Sequence, residues 1–463
     1  MKNAVLTDLR RLMPLAWPVF IGQIAVLSFA TIDTLLLARY SNIDLAALSI
    51  GAAIYISVFV GLMGIVLAVS PIVGQLFGAG ELEASGDQLH QALWTALGLA
   101  LLGDLALLFP GPFLAISHVD PEVESRVRDY LLALAFALPP ALLFMAYRGF
   151  NVAVSRPKVV MALQVGGLLA KIPLSNWLIF GGYGMPELGS LGCGAATAVV
   201  MWVQALAALL VLRKDPFYQR FGLHRGGLHR PHWPKILKLL KLGIPMGAGI
   251  MIEVTGFTFM ALFIARLGPT IVAGHELAVN LVAMMFMLPY AIGNAAGTLV
   301  AQRIGAGDLD DARGLGWHGI VIGLGLAFVL GAAVFFGRVQ VLGLYTRDAA
   351  LMAAALPLLL WVWLFHVSDA VQTVAAFVLR AHHIATAPMI IYTLALWGVG
   401  LGGGNWLAFG GEAWVPSLLR GASGFWFAAT LGLLLAAIGL SALLAWAHRR
   451  EAQHLPTPPE PAR

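Results

Sequence analysis

Residues 71–81, PIVGQLFGAGE, return in altered form at residues 298–308 as TLVAQRIGAGD. The same offset of 227 positions relates LAWPVFIGQ at 15–23 to LGIPMGAGI at 242–250. One constant offset over more than sixty residues needs no gaps, which indicates an internal duplication. A weaker match follows, with YRGFNVAVSRP at 147–157 against LRAHHIATAP at 379–388, in which Arg148 pairs with Arg380 at an offset of 232. The chain is therefore predicted to consist of two copies of one structural unit.

The composition places both copies in a membrane. Of the 463 residues, 60% are hydrophobic and 11% are charged, whereas soluble domains have about 45–50% apolar and about 25% charged residues. A membrane-spanning helix needs about 20 mostly apolar residues, so the apolar content suffices for about twelve such helices. These values exclude a disordered chain, a disulfide-stabilised secreted scaffold and a nucleic-acid-binding domain with a membrane tail. The net charge of +5 is interpreted as basic cytoplasmic loops.

Polar and Pro/Gly-rich breaks divide the apolar sequence into six predicted spans per half. The predicted spans are 14–38, 46–76, 90–114, 130–152, 159–181, 189–212, 237–266, 273–302, 316–344, 350–379, 386–409 and 421–446. The predicted fold is an all-α integral membrane protein with two pseudo-symmetric six-helix lobes around a central cavity. The predicted segments are an N-lobe at 1–212, a basic cytoplasmic linker at 213–236, a C-lobe at 237–448 and a disordered tail at 449–463.

The distribution of basic residues predicts the orientation. With both termini on one side, 20 of the 28 Lys and Arg residues fall on that side, 7 fall on the other, and Lys171 lies within a span. Basic loops face the cytoplasm, so both termini are predicted to be cytoplasmic.

Three histidines, His224, His229 and His232, occur in the linker. Zinc sites combine His with Cys or carboxylate ligands at regular spacings, and no such ligand accompanies these histidines in a fixed pattern. The sequence therefore predicts a polar connector here, without a metal site.

Parallel repeats of six spans are typical of transporters whose lobes enclose a central site, although duplicated bundles also occur in proteins that transport nothing. The elements WP…Q…DT at 17–34, PIVGQLFGAG at 71–80 and AQRIGAG at 301–307 resemble the MATE (multidrug and toxic compound extrusion) family, most closely its NorM-like bacterial branch. The resemblance runs from about residue 8 to 446. It implies a monomer in the lipid bilayer of a bacterial inner membrane that exports amphipathic organic cation drugs by alternating access. It also implies no cofactor, with Na+ or H+ as the coupling ion.

Charged residues inside the membrane are the candidates for coupling, because each costs at least about 2.5–3.5 kcal/mol at mid-membrane depth. Glu253 and Asp369 lie near the middle of the seventh and tenth spans, and neither has an acidic counterpart in the first half. Two carboxylates that face one cavity either bind Na+ or share a proton. Both match acidic positions that the family uses for the coupling cation; the alternative is a buried acid with a packing role.

Asp33 lies in the latter part of the first span, and the resemblance implies that it takes part in proton-linked substrate release. The alternative is an acid at the membrane interface. Lys171 departs from the family pattern, which has Asn at this position more often. We expect Lys171 to pair with Asp33 inside the N-lobe, since an unpaired buried ammonium loses its proton; the alternative is that its side chain extends to an interface. Asp104 has no assigned role.

An amphipathic cation is expected to bind between aromatic and flexible apolar side chains, since cation–π contacts contribute about 0.5–2 kcal/mol each. The predicted lining residues, besides Lys171, are Gln23, Asn280, Tyr55, Phe257, Phe286, Phe365 and Met287. Packing roles are the alternative for each of them.

Other functional classes have different sequence motifs. The sequence has no Walker motif, GxSxG or HExxH, so neither ATP-driven transport nor a recognisable catalytic centre is predicted, and the chain is not expected to be an enzyme. A lipid-linked precursor flippase of the same superfamily is the alternative. It is expected to line its cavity with several basic residues.

Overall fold

The computed structural model describes residues 2–117, 120–182, 184–223, 227–410, 415–416 and 419–453, and this part of the chain is almost entirely helical. The helices of the first half are Lys2–Tyr40 (α1), Asn42–Val66 (α2), Val69–Gly78 (α3), Leu82–Leu108 (α4), Gly111–Ser117 (α5), Pro121–Ala153 (α6), Pro157–Phe180 (α7) and Gly189–Lys214 (α8). Those of the second half are Trp233–Ala265 (α9), Pro269–Gly305 (α10), Leu309–Phe336 (α11), Arg338–Tyr345 (α12), Ala349–Ala355 (α13), Leu358–Ala381 (α14), Thr386–Tyr392 (α15), Gly404–Phe409 (α16) and Ala422–Gln453 (α17).

Twelve helical stretches within the described residues are long and apolar enough to cross a membrane. This number confirms the predicted count and shows a multi-pass membrane protein. Residues Thr393–Gly403 continue α15 as a π-helix rather than an α-helix. Such wide turns are frequent at functional sites, and this one lies next to the site described below.

Several predicted boundaries are wrong, among them the start of the tenth span, predicted at 350, because α13 ends at Ala355 and α14 begins at Leu358. The third span was predicted to extend to residue 114, but α4 ends at Leu108 and the short α5 starts at Gly111, because Pro110 cannot continue the hydrogen bonding of a helix. The ninth span was likewise predicted to end at 344, yet α11 ends at Phe336 and α12 follows. Residues 449–453, predicted as disordered tail, belong to α17; residues 454–463 lie outside the described part.

The two lobes touch through a symmetric pair of glutamines. Gln75 Nε2 in α3 donates to the carbonyl oxygen of Ala381 at the end of α14, at 2.7 Å. Gln302 Nε2 in α10 donates to the carbonyl oxygen of Ala153 at the end of α6, also at 2.7 Å, and to Ser155 Oγ at 2.8 Å. The two glutamines are 227 positions apart, so the duplicated motif at 71–81 and 298–308 forms the contact between the copies.

The same contact requires glycine at two equivalent positions. A Cβ on Gly78 would overlap the carbonyl group of Gln302, and a Cβ on Gly305 would overlap that of Gln75. The two backbones therefore approach as closely as only glycine permits. We call this end of the bundle, which also carries residues 215–223 and 227–232, the linker end.

An ion-pair cluster adds to the closure at the linker end. Arg11 in α1 forms two hydrogen bonds, of 2.9 and 2.7 Å, with Asp311 in α11. Asp8 accepts from Arg11 at 3.0 Å and contacts His318 Nδ1 at 2.5 Å. The bidentate geometry makes the Arg11–Asp311 pair the most specific of these contacts, and it joins the first helix of the N-lobe to the C-lobe.

The ends of α6 and α14 change the alignment of the later part of the repeat. Ser155 and His383 have left-handed φ values of 60° and 58°, and each lies two residues beyond the end of α6 or α14. They are 228 positions apart, whereas the sequence match of Arg148 with Arg380 uses 232. The predicted alignment is therefore displaced by one helical turn.

The linker is anchored to the N-lobe. Asp215 caps the 3-10 helix Pro216–Phe221 by accepting from the backbone N–H of Phe217 at 2.9 Å, and it forms an ion pair with Arg156 at 2.6 Å. The Phe217 N–H and then Arg156 lower the pKa of Asp215. Tyr218, which is fully buried, donates to Asn151 at 2.5 Å. This end of the connector is therefore fixed to α6.

Candidate functional site

A cavity of about 670 Å³ lies between the lobes. The N-lobe contributes side chains from α1, α2, α3 and α6, and the C-lobe contributes from α9, α10, α14 and α15. The polar residues in its wall are Gln23, Ser70, Arg148, Glu253, Thr258, Tyr290, Asn294, Thr298, Asp369, Gln372, Thr373, Arg380 and Tyr392. Its size is that of pockets that hold drug-sized molecules, about 300–1,000 Å³.

Glu253 and Asp369 lie on either side of one amide group. Gln372 Nε2 is 2.8 Å from Asp369 Oδ1 and 3.4 Å from Glu253 Oε1. Tyr392 Oη donates to Gln372 Oε1 at 2.5 Å, and this bond orients the amide so that its nitrogen faces the two acids. Asp369 and Gln372 lie one helical turn apart on α14, while Glu253 comes from α9.

This arrangement leaves negative charge to be compensated. Asp369 is only 2% exposed and Gln372 is 1% exposed, and a neutral amide cannot balance two carboxylates. Buried charges require a partner of opposite sign or a bound proton. The oxygen atoms of both acids, together with Thr373 Oγ1 at 3.1 Å from Gln372 Nε2, are ligands of the type that hard cations prefer.

A second, smaller cavity of about 30 Å³ lies behind Glu253. Phe257 and Phe365 line it on one side, and Gly400 and Leu401 of the π-helical segment line it on the other. This volume suffices for one water molecule or a small ion. Glu253 thus lines both the large cavity and this smaller one.

Aromatic side chains form much of the remaining wall. Phe257 and Phe365 meet edge to face with ring centroids 5.5 Å apart, and Phe286 lies 6.0 Å from Tyr290. Met287 lies beside them. Aromatic faces attract organic cations, and the thioether adapts to differently shaped ligands.

Arg148 and Arg380 also line the cavity, although the predicted orientation assigns both to the cytoplasmic side. Arg148 is 5% exposed and donates to Tyr290 Oη in the other lobe at 2.8 Å. The Arg380 guanidinium lies 4.8 Å from the centre of the Phe377 ring. A charged residue at the end of an apolar run is normally assigned to the membrane interface. The only sequence feature that argues against this assignment is the presence of both arginines in the repeated segments 147–157 and 379–388.

The structure places Asp33 and Lys171 together, but outside the cavity wall. Lys171 Nζ lies 3.0 Å from Asp33 Oδ1 and donates to Thr197 Oγ1 at 2.6 Å. The Lys171 side chain is fully buried, and its ammonium lies 5.4 Å from the centre of the Phe29 ring. The predicted ion pair is confirmed, and the extension of Lys171 to an interface is excluded. Neither residue lines the large cavity.

The other predicted lining residues divide into two groups. Gln23, Phe257, Phe286, Phe365 and Met287 line the large cavity. Tyr55 instead stacks on Phe59 within the N-lobe, and Asn280 accepts from Tyr345 Oη at 3.0 Å near α12. Those two placements are wrong because periodicity does not tell which side of a fully apolar helix faces the cavity.

Comparison with known proteins relates both halves to one family. The family model described as MatE matches residues 18–177 and 245–404. The probable multidrug resistance protein NorM of Aromatoleum aromaticum is 40% identical over 444 residues, which covers 95% of this chain and 94% of that protein. The protein of the same name from Chromobacterium violaceum is 34% identical, with 96% and 95% covered.

The fold has solved counterparts. The crystal structure of the eukaryotic MATE transporter AtDTX14 superposes with a TM-score of 0.86, covering 97% of this chain and 99% of that chain at 20% identity. This likeness supports the twelve-helix architecture in two lobes.

Proposed function

Because this chain belongs to the MATE family, we propose that it is a multidrug efflux transporter that exports amphipathic organic cations in exchange for Na+ or H+. The export of several drugs is supported by the names of its relatives. The cavity supports the cationic class of substrate, because it combines two carboxylates with aromatic and methionine side chains. Glu253 and Asp369 are the proposed coupling site, and they are the proposed ligands if the ion is Na+.

The observation that carries the proposal is the bridge formed by Gln372. One amide nitrogen contacts both acids at the edge of the drug-sized cavity. A substrate cation that approaches either acid competes with the bound Na+ or proton for the same negative charge. Mutual exclusion of this kind is what antiport requires, since each ligand favours its own state of the transporter.

Closure at the linker end supports an outward-open arrangement. Gln75 and Gln302 join the lobes there, and the Arg11–Asp311 pair reinforces the contact. With both termini in the cytoplasm, as the basic loops predict, the closed side faces the cytoplasm of a bacterium. Alternating access then consists of opening these contacts while the opposite ends of the lobes approach. We propose that one chain suffices, as a monomer.

The test is efflux of ethidium from proteoliposomes that contain the purified protein. We expect an imposed Na+ or H+ gradient to accelerate efflux, and the ion whose gradient does so is the coupling ion. Each charge that moves through 100 mV provides about 2.3 kcal/mol. Efflux that is independent of both gradients would reject ion coupling, and the absence of any ethidium transport would reject the proposed substrate class.

Arg148 and Arg380 bear on the alternative of a lipid-linked precursor flippase. Such a flippase is expected to bind pyrophosphate with several basic side chains, and two guanidinium groups do line the cavity. One of them, Arg148, is already engaged with Tyr290, and two carboxylates in the same wall would repel a pyrophosphate. The drug exporter therefore remains the better-supported function.

A further inference from the structure

Three side chains with metal-binding atoms meet where the linker crosses the N-lobe. Asp87 and His90 lie one turn apart on α4, so they occupy the same face of that helix. His229 reaches them from the linker. One ligand atom from each of the three residues lies within 4.8 Å of the other two. None of them lines the large cavity.

His90 supplies a second and independent observation. Its side chain is 8% exposed, and its Nδ1 atom is buried without a hydrogen-bond partner among the described residues. Its ring meets that of His229 edge to face, with centroids 4.3 Å apart. A buried unpaired polar atom costs about 1–3 kcal/mol, and a ligand that accepts the imidazole lone pair would remove this cost.

The surrounding hydrogen bonds hold the linker in place without using the ligand atoms of the two histidines. Trp94 Nε1 donates to the backbone oxygen of His229 at 2.8 Å. Gln91 donates to the backbone oxygen of Arg230 at 3.2 Å and accepts from the backbone N–H of His232 at 2.7 Å. These contacts fix the backbone that carries His229 against α4.

The two oxygens of Asp87 have different partners. Lys235 Nζ, at the start of α9, contacts Asp87 Oδ2 at 2.7 Å. The other oxygen, Oδ1, faces His229 Nδ1 at 2.8 Å. A metal ion would replace the proton between these two atoms and leave the Lys235 contact in place. Bonds of about 2.0–2.1 Å to nitrogen and oxygen require only a modest increase in that separation.

We propose that Asp87, His90 and His229 bind one divalent transition-metal ion of the Zn2+ type. Two imidazoles and one carboxylate are typical ligands for Zn2+, with water in the fourth position of a tetrahedron. The bound ion connects the N-lobe helix α4 to the linker next to the first turn of the C-lobe. The linker sequence alone shows no ligand pattern because the other two ligands, Asp87 and His90, come from α4.

The experiment uses the full-length protein, purified in detergent with a tag that contains no histidine and stripped with a chelator. Co2+ is titrated as the spectroscopic probe for tetrahedral coordination, and Zn2+ is then added to displace it. We expect one Co2+ per chain with an intense visible absorption band, and loss of this band on addition of one Zn2+. The absence of the band at saturating Co2+ would overturn the proposal.

Variants test whether these three residues are the ligands. His229→Ala removes a side chain that is 48% exposed, so the fold should persist, and we expect the affinity for Co2+ and Zn2+ to fall at least about tenfold. Asp87→Asn is expected to have a similar effect. His232→Ala is the matched control, because this exposed histidine belongs to the same linker but not to the cluster. Equal affinity in wild type and His229→Ala, or equal loss in His232→Ala, would overturn the assignment.

Discussion

Glu253→Gln and Asp369→Asn are each expected to reduce gradient-driven ethidium efflux at least about 30-fold. Both substitutions keep the size of the side chain and its capacity for hydrogen bonding with Gln372, but they remove the negative charge that the coupling ion and the substrate share. Removing one member of a buried, hydrogen-bonded charge pair costs about 2–5 kcal/mol, and 1.4 kcal/mol corresponds to a factor of ten. The measurement is the initial rate in proteoliposomes that contain equal amounts of protein.

Glu276→Gln is the matched control for this prediction. Glu276 is an exposed acid on α10 and does not line the large cavity. We expect this variant to retain most of the wild-type rate. Efflux that persists in both Glu253→Gln and Asp369→Asn would contradict the proposed coupling site and would transfer the role to Asp33.

Lys171→Leu is expected to destabilise the protein by about 3–5 kcal/mol. The Lys171 side chain is fully buried and lies 3.0 Å from Asp33, so the substitution leaves a carboxylate without its counterion in the N-lobe. Breaking a buried ion pair on one side costs this amount because the remaining charge stays desolvated. The measurement is the midpoint of thermal unfolding in detergent, together with the yield of monodisperse protein.

Two further variants separate charge pairing from a simple loss of size. Replacing both partners, as Lys171→Leu with Asp33→Leu, should recover much of the loss, since apolar pairs often substitute for buried ion pairs at little cost. Lys158→Leu removes an exposed Lys from the same helix, and we expect a change within about 0.5 kcal/mol. A double variant as unstable as the sum of its singles would show that the two residues act independently.

Much of the architecture was predictable because it depends on local sequence. The twelve spans follow from apolar length, and the constant offset of 227 identified the segments that form the contact through Gln75 and Gln302. The candidate acids were predictable since charge is rare within spans. The sequence alignment of the later part of the repeat is displaced by one helical turn. At the corrected offset of 228, the first-half counterpart of Asp369 is Ala141, whereas the offset of 232 gives Ala137. The acidic pair remains confined to one lobe.

The wrong or missing residues share a physical cause. Tyr55 and Asn280 lie on helices that are apolar on all sides, so their direction is determined by packing between helices. Arg148 lies within the predicted span 130–152, and the packing of α6 against the other helices turns its side chain to the cavity. The cluster of Asp87 with His229 joins positions 142 residues apart, which no spacing rule relates.

Binding of tetraphenylphosphonium to the purified protein tests the central claim most directly, namely that substrate and coupling ion compete for Glu253 and Asp369. If H+ is the coupling ion, wild type in weakly buffered solution should release a proton when this cation binds. If Na+ is the coupling ion, wild type should bind the cation more weakly as Na+ is added. The double variant Glu253→Gln with Asp369→Asn should do neither. Proton release or Na+ competition of equal size in the double variant would contradict the claim, as would binding to wild type that is indifferent to both ions.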